Sequence, residues 1–165
     1  PLDEASFLVA NLDMAGFYRV NYDTNNWQLL VQQLSNNYTV FFKWLILFLI
    51  INAKKLELYL KKRLSPRTRA QLISDAFSLS QAGYIDGRVP LSLIEYMSAE
   101  VDFLPWKTLV DNRVGFYIDM LEQTELFGPL KKYLVNLVQP YYEKLGWEDK
   151  FDQDPFVDRF RKTNL

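Results

Sequence analysis

The feature that most constrains this fold is a series of helix start and stop signals after residue 64. Proline is favoured in the first turn of a helix and glycine just after its last residue. The predicted starts are Ser65-Pro66, Pro90, Pro105 and Pro129, with a shorter segment from Pro155. Gly83 and Gly146 are placed to end the first and fourth of these helices, and the third is expected to continue through Leu121.

Each predicted helix carries an apolar stripe with helical spacing, so we expect one face of each to be buried. The predicted inward residues are Ala70, Ile73, Ala76, Phe77 and Ser80; Leu91, Ile94 and Met97; Trp106, Leu109, Val110, Val114, Tyr117 and Leu121; and Leu130, Tyr133, Leu134, Leu137, Val138, Tyr141 and Leu145. Phe156, Val157 and Phe160 form the stripe of the shorter segment. Short turns between helices favour an antiparallel array, as in bundles and helical solenoids.

The N-terminal part has a different period. Residues 6–11 and 17–22 have the composition of strands, and residues 17–22 alternate with a period of two, with Gly16 ending a turn over residues 12–16. From Asp23 or Asn25 the spacing becomes helical, with Trp27, Leu30, Val31 and Leu34 on one face. The predicted fold is therefore mainly α, an antiparallel helical array preceded by a short β-hairpin.

Two residue types are missing, which limits the chemistry available. The chain of 165 residues contains no histidine and no cysteine. The usual general base, serine-histidine and cysteine-histidine nucleophile pairs and the common zinc ligands are therefore excluded. No glycine-rich phosphate loop is present, and 19 basic side chains nearly cancel 20 acidic ones, so nothing predicts a nucleic-acid partner. We predict no catalytic, cofactor-binding or metal-binding residue.

Residues 40–64 do not fit the helical pattern. Val40 to Ile51 is apolar apart from Lys43, and the stretch ends in Lys61-Lys62-Arg63. A membrane-spanning helix needs ~20 apolar residues, which this stretch does not reach. Three interpretations stay open: a helix at a membrane surface, a buried helix or hairpin, or residues foreign to the folded protein, such as translated intron.

Several residues have both a functional and a structural interpretation. Tyr18, Tyr22 and Trp27 could line a peptide-binding surface, but we expect packing. Arg19 is expected to pair with Asp23 or another carboxylate, and Asp75 to cap a helix or bind an arginine. Two larger sets are each expected to be a solvated face: acidic Glu95, Glu100 and Asp102, and basic Lys54, Lys55, Lys61, Lys62, Arg63, Arg67 and Arg69, for which anionic lipid is the alternative partner. Asn37-Tyr38-Thr39 is a glycosylation sequon, relevant only in the secretory pathway.

Four segments in order resemble one enzyme family. They are Gly16 to Asp23 (G-F-Y-R-V-N-Y-D) with Asn26-Trp27, Arg69 to Leu79 (R-A-Q-L-I-S-D-A-F-S-L), Asp102 to Trp106 (D-F-L-P-W), and Leu145-Gly146-Trp147. They are similar to motifs of the aminopeptidase N type of gluzincin zinc aminopeptidases, a family that includes glutamyl aminopeptidase and the endoplasmic-reticulum aminopeptidases. The matches cover nearly the whole chain.

The resemblance implies that residues 1–23 end a β-sandwich domain. Residues 24–165 would then begin the C-terminal helical domain, a superhelix of the HEAT or armadillo kind that caps the active site and shapes the peptide cavity. The family's zinc ligands, His-Glu-x-x-His and a later Glu, and its Gly-[AG]-Met-Glu-Asn segment lie upstream and have no counterpart here. Zinc would thus be a cofactor of the parent enzyme alone, and residues 40–64 would be an atypical insert.

The resemblance also implies partners and a location. The partners would be the upstream catalytic and β-sandwich domains and a peptide substrate, and the location a plasma-membrane ectoenzyme or the secretory pathway, with the cytoplasm as the alternative. Our first hypothesis is a non-catalytic fragment of such an aminopeptidase, which removes N-terminal residues from peptides. The alternatives are a stand-alone helical protein-binding scaffold and a membrane-surface module using residues 40–64.

Overall fold

A computed structural model describes residues 7–35, 64–111 and 113–145. The helices in these ranges are α1 (24–35), α2 (Pro66–Gln81), α3 (Arg88–Leu93), α4 (Phe103–Val110), α5 (Arg113–Leu121) and α6 (Phe127–Leu145), with 3-10 helices at Leu12–Met14 and Glu95–Ala99. The prediction of a mainly α fold is confirmed. Residues 40–63, Asn37, Gly146 and the segment from Pro155 lie outside the described residues.

Helix α2 begins and ends where its sequence signals predict. Ser65 is the N-cap, and its hydroxyl oxygen accepts a hydrogen bond from the Thr68 amide at 3.1 Å, while Pro66 is the first helical residue. At the other end Gly83 has a φ of +79°. The Gly83 amide donates to the Ser80 carbonyl and the Tyr84 amide to the Leu79 carbonyl, each at 2.9 Å. This pair of bonds is a Schellman motif, which needs a left-handed residue at the position of Gly83.

The other prolines mark their helices but do not open them. Pro90, Pro105 and Pro129 are each the third residue of α3, α4 and α6 rather than the first. The first amides of a helix have no partner inside the helix, so a proline is tolerated at any position of the first turn. The predicted starts are therefore two residues late in all three helices.

The single helix predicted from Pro105 to Leu121 is wrong, because the chain divides there into α4 and α5. Asp111 ends α4 with φ −67° and ψ +76°, outside the helical region. Asp111 is a turn-forming residue type, whose short polar side chain competes with helix hydrogen bonding. The apolar spacing continues across the turn, which is why periodicity alone did not reveal it.

The predicted hairpin is not confirmed: residues 7–23 reverse direction, but this part of the described chain contains no strand. Side chains take the backbone groups that a hairpin ladder would use. The Leu8 amide donates to the Asn26 side chain at 2.7 Å, and the Ala10 amide donates to the Tyr22 hydroxyl at 3.0 Å. In the turn, the Asn11 side chain accepts from the Gly16 amide and donates to its carbonyl.

Helix α2 lies at the centre of the described structure. It packs against α3, α4, α5 and the 3-10 helix Leu12–Met14, while α6 packs mainly on the 3-10 helix Glu95–Ala99. The buried apolar core is one cluster containing Trp27, Leu30, Leu34, Leu64, Leu72, Ile73, Ala76, Phe77, Leu93, Ile94, Tyr96, Met97, Trp106, Leu109, Tyr117, Leu130, Leu137 and Tyr141. Most of the predicted inward residues belong to this cluster or are half-buried against it.

Candidate functional site: the junction between the N-terminal segment and helix α2

Several polar contacts join residues 7–23, here called the N-terminal segment, to α2. Asp75 is buried, with 3% of its surface exposed, and its carboxylate faces Arg19 and Val20 of the segment. It accepts a hydrogen bond from the Val20 amide at 3.1 Å and from the Arg19 guanidinium at 3.3 Å. The same guanidinium nitrogen lies 3.3 Å from the Ser74 carbonyl oxygen and 3.2 Å from its hydroxyl. The structural ion pair predicted for Arg19 is present, with Asp75 as the partner.

Two further buried polar residues of α2 face the same segment. The Thr68 hydroxyl accepts a hydrogen bond from the Asp13 amide at 3.1 Å. The Gln71 side chain donates to the Ala10 carbonyl at 3.4 Å. The Asp13 carboxylate in turn accepts from the Ser65 hydroxyl, so it also contacts the N-terminal end of α2.

Helix α1 holds the segment from its other side. Asn26 bonds to both backbone groups of Leu8, and the Trp27 indole donates to the Asn21 side chain at 3.2 Å. The Tyr22 ring meets the buried Trp27 ring edge-on, with centroids 5.0 Å apart. Packing is therefore confirmed for Tyr22 and Trp27, whereas Tyr18 is wrongly predicted as a packing residue, since 59% of its surface is exposed.

A second polar cluster is buried inside the helical array and corrects two predictions. The Arg69 guanidinium binds both carboxylate oxygens of Glu100, at 2.8 and 2.9 Å. It also donates to Asp102 at 2.6 Å and to the Leu64 carbonyl at 2.6 Å. Glu100 is fully buried and Arg69 is buried, so Glu100 is not a member of a solvated acidic face and Arg69 does not belong to a solvated basic one, whereas the Asp102 side chain is 46% exposed. Glu95 and Arg67 are exposed, as expected.

Sequence reasoning missed this cluster, although α2 contains a signal for it. Arg69 precedes Ile73 by four residues and Ala76 by seven, so it lies on the apolar stripe of the helix. A charge on such a stripe is buried only when it is paired. Nothing local identifies Glu100 as the partner, because 31 residues separate the two.

A groove of about 630 Å³ lies between α1 and α3. It is lined by Thr24, Trp27, Gln28, Val31, Gln32, Asp86, Arg88, Val89 and Ser92. The Arg88 guanidinium binds the Asp86 carboxylate at 2.8 and 3.0 Å and lowers the pKa of that carboxyl to about 2. Both side chains are exposed, so the pair is a surface feature without a buried acid or base.

Three tyrosines have raised pKa values, for the same reason. Burial disfavours the phenolate and raises the pKa of Tyr22, Tyr117 and Tyr133. The hydroxyls of Tyr117 and Tyr133 are hydrogen-bonded to Ser80 at 2.7 Å and to the Leu91 carbonyl at 2.7 Å. These groups stay neutral at physiological pH and act as hydrogen-bonding and packing residues.

The residues present do not fit a zinc ion of the kind that peptidases use. Such a site takes imidazole or thiolate donors together with carboxylates, and the sequence has neither histidine nor cysteine. Within the described ranges no three carboxylates are grouped so as to hold a metal ion. No helix in those ranges has the length and apolar character required to cross a bilayer.

Comparison with known proteins places the chain in a family. Residues 48–165 match the ERAP1-like C-terminal domain. The thyrotropin-releasing hormone-degrading ectoenzyme of Rattus norvegicus is 37% identical over 147 residues, 88% of this chain and 11% of that protein. Glutamyl aminopeptidase of Homo sapiens is 34% identical over 148 residues, 89% of this chain and 13% of that protein. Aminopeptidase N of Rattus norvegicus is 28% identical over 161 residues, 96% of this chain and 14% of that protein.

The chain thus spans only 11–14% of the length of these relatives. The junction residues Arg19 and Asp75 fall in the first two of the motifs that carry the resemblance, so the ion pair joins the two motifs in space. The family match covers more than half of the chain and agrees with the helical fold. The chain therefore belongs to the aminopeptidases of the aminopeptidase N type and corresponds to their ERAP1-like C-terminal domain.

Proposed function

We propose that this chain is a non-catalytic part of a zinc aminopeptidase, in which it begins the helical domain that caps the active site and shapes the peptide cavity. The observation that carries the proposal is the family match over residues 48–165 in a chain without histidine or cysteine. The parent enzyme would bind zinc through upstream residues and remove N-terminal residues from peptides. Residues 1–23 would end its β-sandwich domain, and residues 24–165 would start a helical superhelix.

A group of exposed apolar side chains supports an upstream neighbour. This N-terminal apolar group consists of Leu8, Leu12, Met14, Phe17 and Tyr18, which are between 49% and 112% exposed. Clustered exposed apolar side chains of this kind mark interaction surfaces. An upstream β-sandwich domain would cover them.

We further propose that the parent is an ectoenzyme or enters the secretory pathway. The support is the resemblance to an ectoenzyme together with the Asn37-Tyr38-Thr39 sequon, which lies outside the described residues. Secretion of the chain from eukaryotic cells should give a glycan at Asn37. Treatment with a glycosidase should lower its mass, and the Asn37→Gln chain should show no change; a secreted chain without a glycan would count against this part of the proposal.

The central proposal is tested by the full transcript and by an assay. An in-frame His-Glu-x-x-His upstream of residue 1 is expected, and its absence would favour a stand-alone helical scaffold. The purified 165-residue chain should not hydrolyse aminoacyl substrates when zinc is added, because it lacks suitable zinc donors. Turnover at an enzyme-like rate that a chelator abolishes would refute the proposal.

A further inference from the structure

The buried polar residues that contact the N-terminal segment form a stripe along α2. Thr68, Gln71 and Asp75 are spaced three and four residues apart, so they share one helix face. All three are at least 97% buried. We refer to them as the polar stripe of α2. Arg69, the other buried polar residue of this helix, faces Glu100 instead.

Each member of the polar stripe binds the backbone of the segment. Thr68 accepts from the Asp13 amide, Gln71 donates to the Ala10 carbonyl, and Asp75 accepts from the Val20 amide. Backbone bonds hold the path of a chain without using its side chains. The side chains of Phe17 and Tyr18 are accordingly left pointing to solvent, and Arg19 alone folds back onto Asp75.

The stripe explains why a segment whose described secondary structure is one short 3-10 helix, Leu12–Met14, has a defined path. Asn11, Asp13 and Met14 have φ values of 55°, 58° and 59°, in the left-handed region that non-glycine residues rarely occupy. Such conformations persist only where surrounding contacts hold them. Here the contacts come from the side chains of α1 and α2, on both sides of the segment.

We propose that residues 7–23 form one rigid unit with α1 and α2, and that Asp75 is the positioning residue which fastens them. The proposal rests on the proposed function in one respect: in the parent enzyme, the segment assigned by sequence to the β-sandwich domain moves together with the helical cap. The mechanical boundary of the cap is then at or before residue 7, instead of between residues 23 and 24. The exposed side of the segment is then the surface that would face the upstream domain.

The rigidity is measurable in the complete chain, which is free of cysteine and therefore accepts spin labels at chosen sites. One label replaces Phe17 and the other Gln81, the last residue of α2, since both positions are exposed. Double electron-electron resonance on Phe17→Cys/Gln81→Cys should give one narrow distance distribution. Adding Asp75→Ala should broaden it, while adding Asp86→Asn, which removes the carboxylate of an exposed ion pair, should leave it unchanged.

Hydrogen exchange provides a second measurement, which distinguishes loss of the contact between the segment and α2 from unfolding of α2 itself. In Asp75→Ala the Val20 amide should exchange roughly tenfold faster or more, because it loses a bond to a charged acceptor. The amides of Ile73 and Phe77, within α2, should keep their protection. Asp75→Asn retains a side-chain oxygen, so its Val20 amide should exchange at a rate between that of the unsubstituted chain and that of Asp75→Ala. These measurements do not depend on peptidase activity. They can therefore contradict the rigid unit while the proposed function holds, or support it while the proposed function is refuted.

Two results would overturn the inference. One is a broad distance distribution in the labelled chain that still has Asp75. The other is Val20 exchange that does not change in Asp75→Ala while α2 stays protected. If Asp75→Ala unfolds the chain, Asp75→Asn decides: a broadened distribution with α2 still protected supports the proposal, and an unchanged distribution with unchanged Val20 exchange contradicts it.

Discussion

Glu100 has the most complete set of partners of any carboxylate in the described structure. Its side chain is fully buried, and it accepts from Arg69 and from the amides of Val101 and Asp102. Without Glu100, the buried Arg69 guanidinium keeps only the half-exposed Asp102 as its counter-charge, and breaking a buried ion pair is strongly destabilising. We therefore expect Glu100→Ala to lower the free energy of unfolding by about 3–5 kcal/mol. Urea unfolding followed by tryptophan fluorescence, to which the buried Trp27 and Trp106 contribute, measures it.

A double substitution distinguishes the net contribution of the ion pair to the free energy of unfolding from the cost of removing only one of its two charges. Apolar residues of similar volume often replace a buried ion pair without loss of stability. Arg69→Met/Glu100→Leu should therefore recover most of what Glu100→Ala loses. Asp86→Asn, at an exposed pair, is the control and should leave the urea midpoint where it was. Equal midpoints for the wild-type chain and Glu100→Ala would show that Asp102 and the Leu64 carbonyl are sufficient partners for Arg69.

Asp86 gives a pH prediction for a single exposed group. Hydrogen bonds from Arg88 lower the pKa of this carboxyl from 3.8 to about 2. Because the folded-state pKa is the lower one, the ion pair favours the folded chain above pH 3.8 and loses that effect as the pH falls through about 2. An NMR titration should give a midpoint near 2 for Asp86 and a midpoint close to the ordinary value in Arg88→Gln. A midpoint near 3.8 in the unsubstituted chain would mean that the pair does not form in solution.

At the scale of elements, the sequence predicts helices well and their partners poorly. Ser65, Pro66 and Gly83 act within a few residues of themselves, so the ends of α2 can be predicted from local chemistry. The extended residues 17–22 keep the composition of a strand, yet they bond to Asp75, 55 residues further along the chain. The pairing of Arg69 with Glu100 is also non-local, with 31 residues between the two. Such contacts depend on which helix faces meet, which apolar spacing does not specify.

Substitution of Gly83 should destabilise the chain even though there is space for an added Cβ. A Cβ at this position would meet no atom within 4 Å, but φ is +79°. Gly83→Ala should therefore lower the free energy of unfolding by about 1 kcal/mol, through backbone strain alone. Gly115, in α5, is the matched control because it also has no atom within 4 Å and has no positive φ. Gly115→Ala should raise stability by ~0.5 kcal/mol, and a loss at both sites would contradict the argument. Thermal unfolding monitored by circular dichroism distinguishes them.

Tyr133 ties α6 to α3 by one hydrogen bond. Its hydroxyl donates to the Leu91 carbonyl at 2.7 Å, and burial together with the charge of Glu95 raises its pKa. Tyr133→Phe should lower the free energy of unfolding by about 1 kcal/mol, because the carbonyl loses its side-chain donor. Since the folded-state pKa is raised, the folded chain should lose stability as the pH rises above 10, where tyrosines of the unfolded chain ionise. Chemical unfolding at pH 7 and at high pH should show a smaller pH-dependent loss for Tyr133→Phe.

At the scale of the whole molecule, α2 makes two different kinds of contact on two of its faces. Its apolar face and Arg69 hold the helical array together, while its polar stripe holds the N-terminal segment. The segment in turn presents the N-terminal apolar group outward. Two of the four motifs that resemble the aminopeptidases, Gly16 to Asp23 and Arg69 to Leu79, thus contribute contacts that hold the segment with its exposed apolar group.

In the isolated chain this surface has consequences for association. Phe17 is 112% exposed and Tyr18 59%, next to three further exposed apolar side chains. Exposed apolar clusters promote association, because contact removes them from water. Sedimentation velocity at increasing concentration should show self-association that Phe17→Ser/Tyr18→Ser reduces. Tyr84→Ser is the control, since Tyr84 is 72% exposed but outside the N-terminal apolar group. If Tyr84→Ser reduces association equally, general surface hydrophobicity is responsible; if only the double substitution acts, association depends on the N-terminal apolar group.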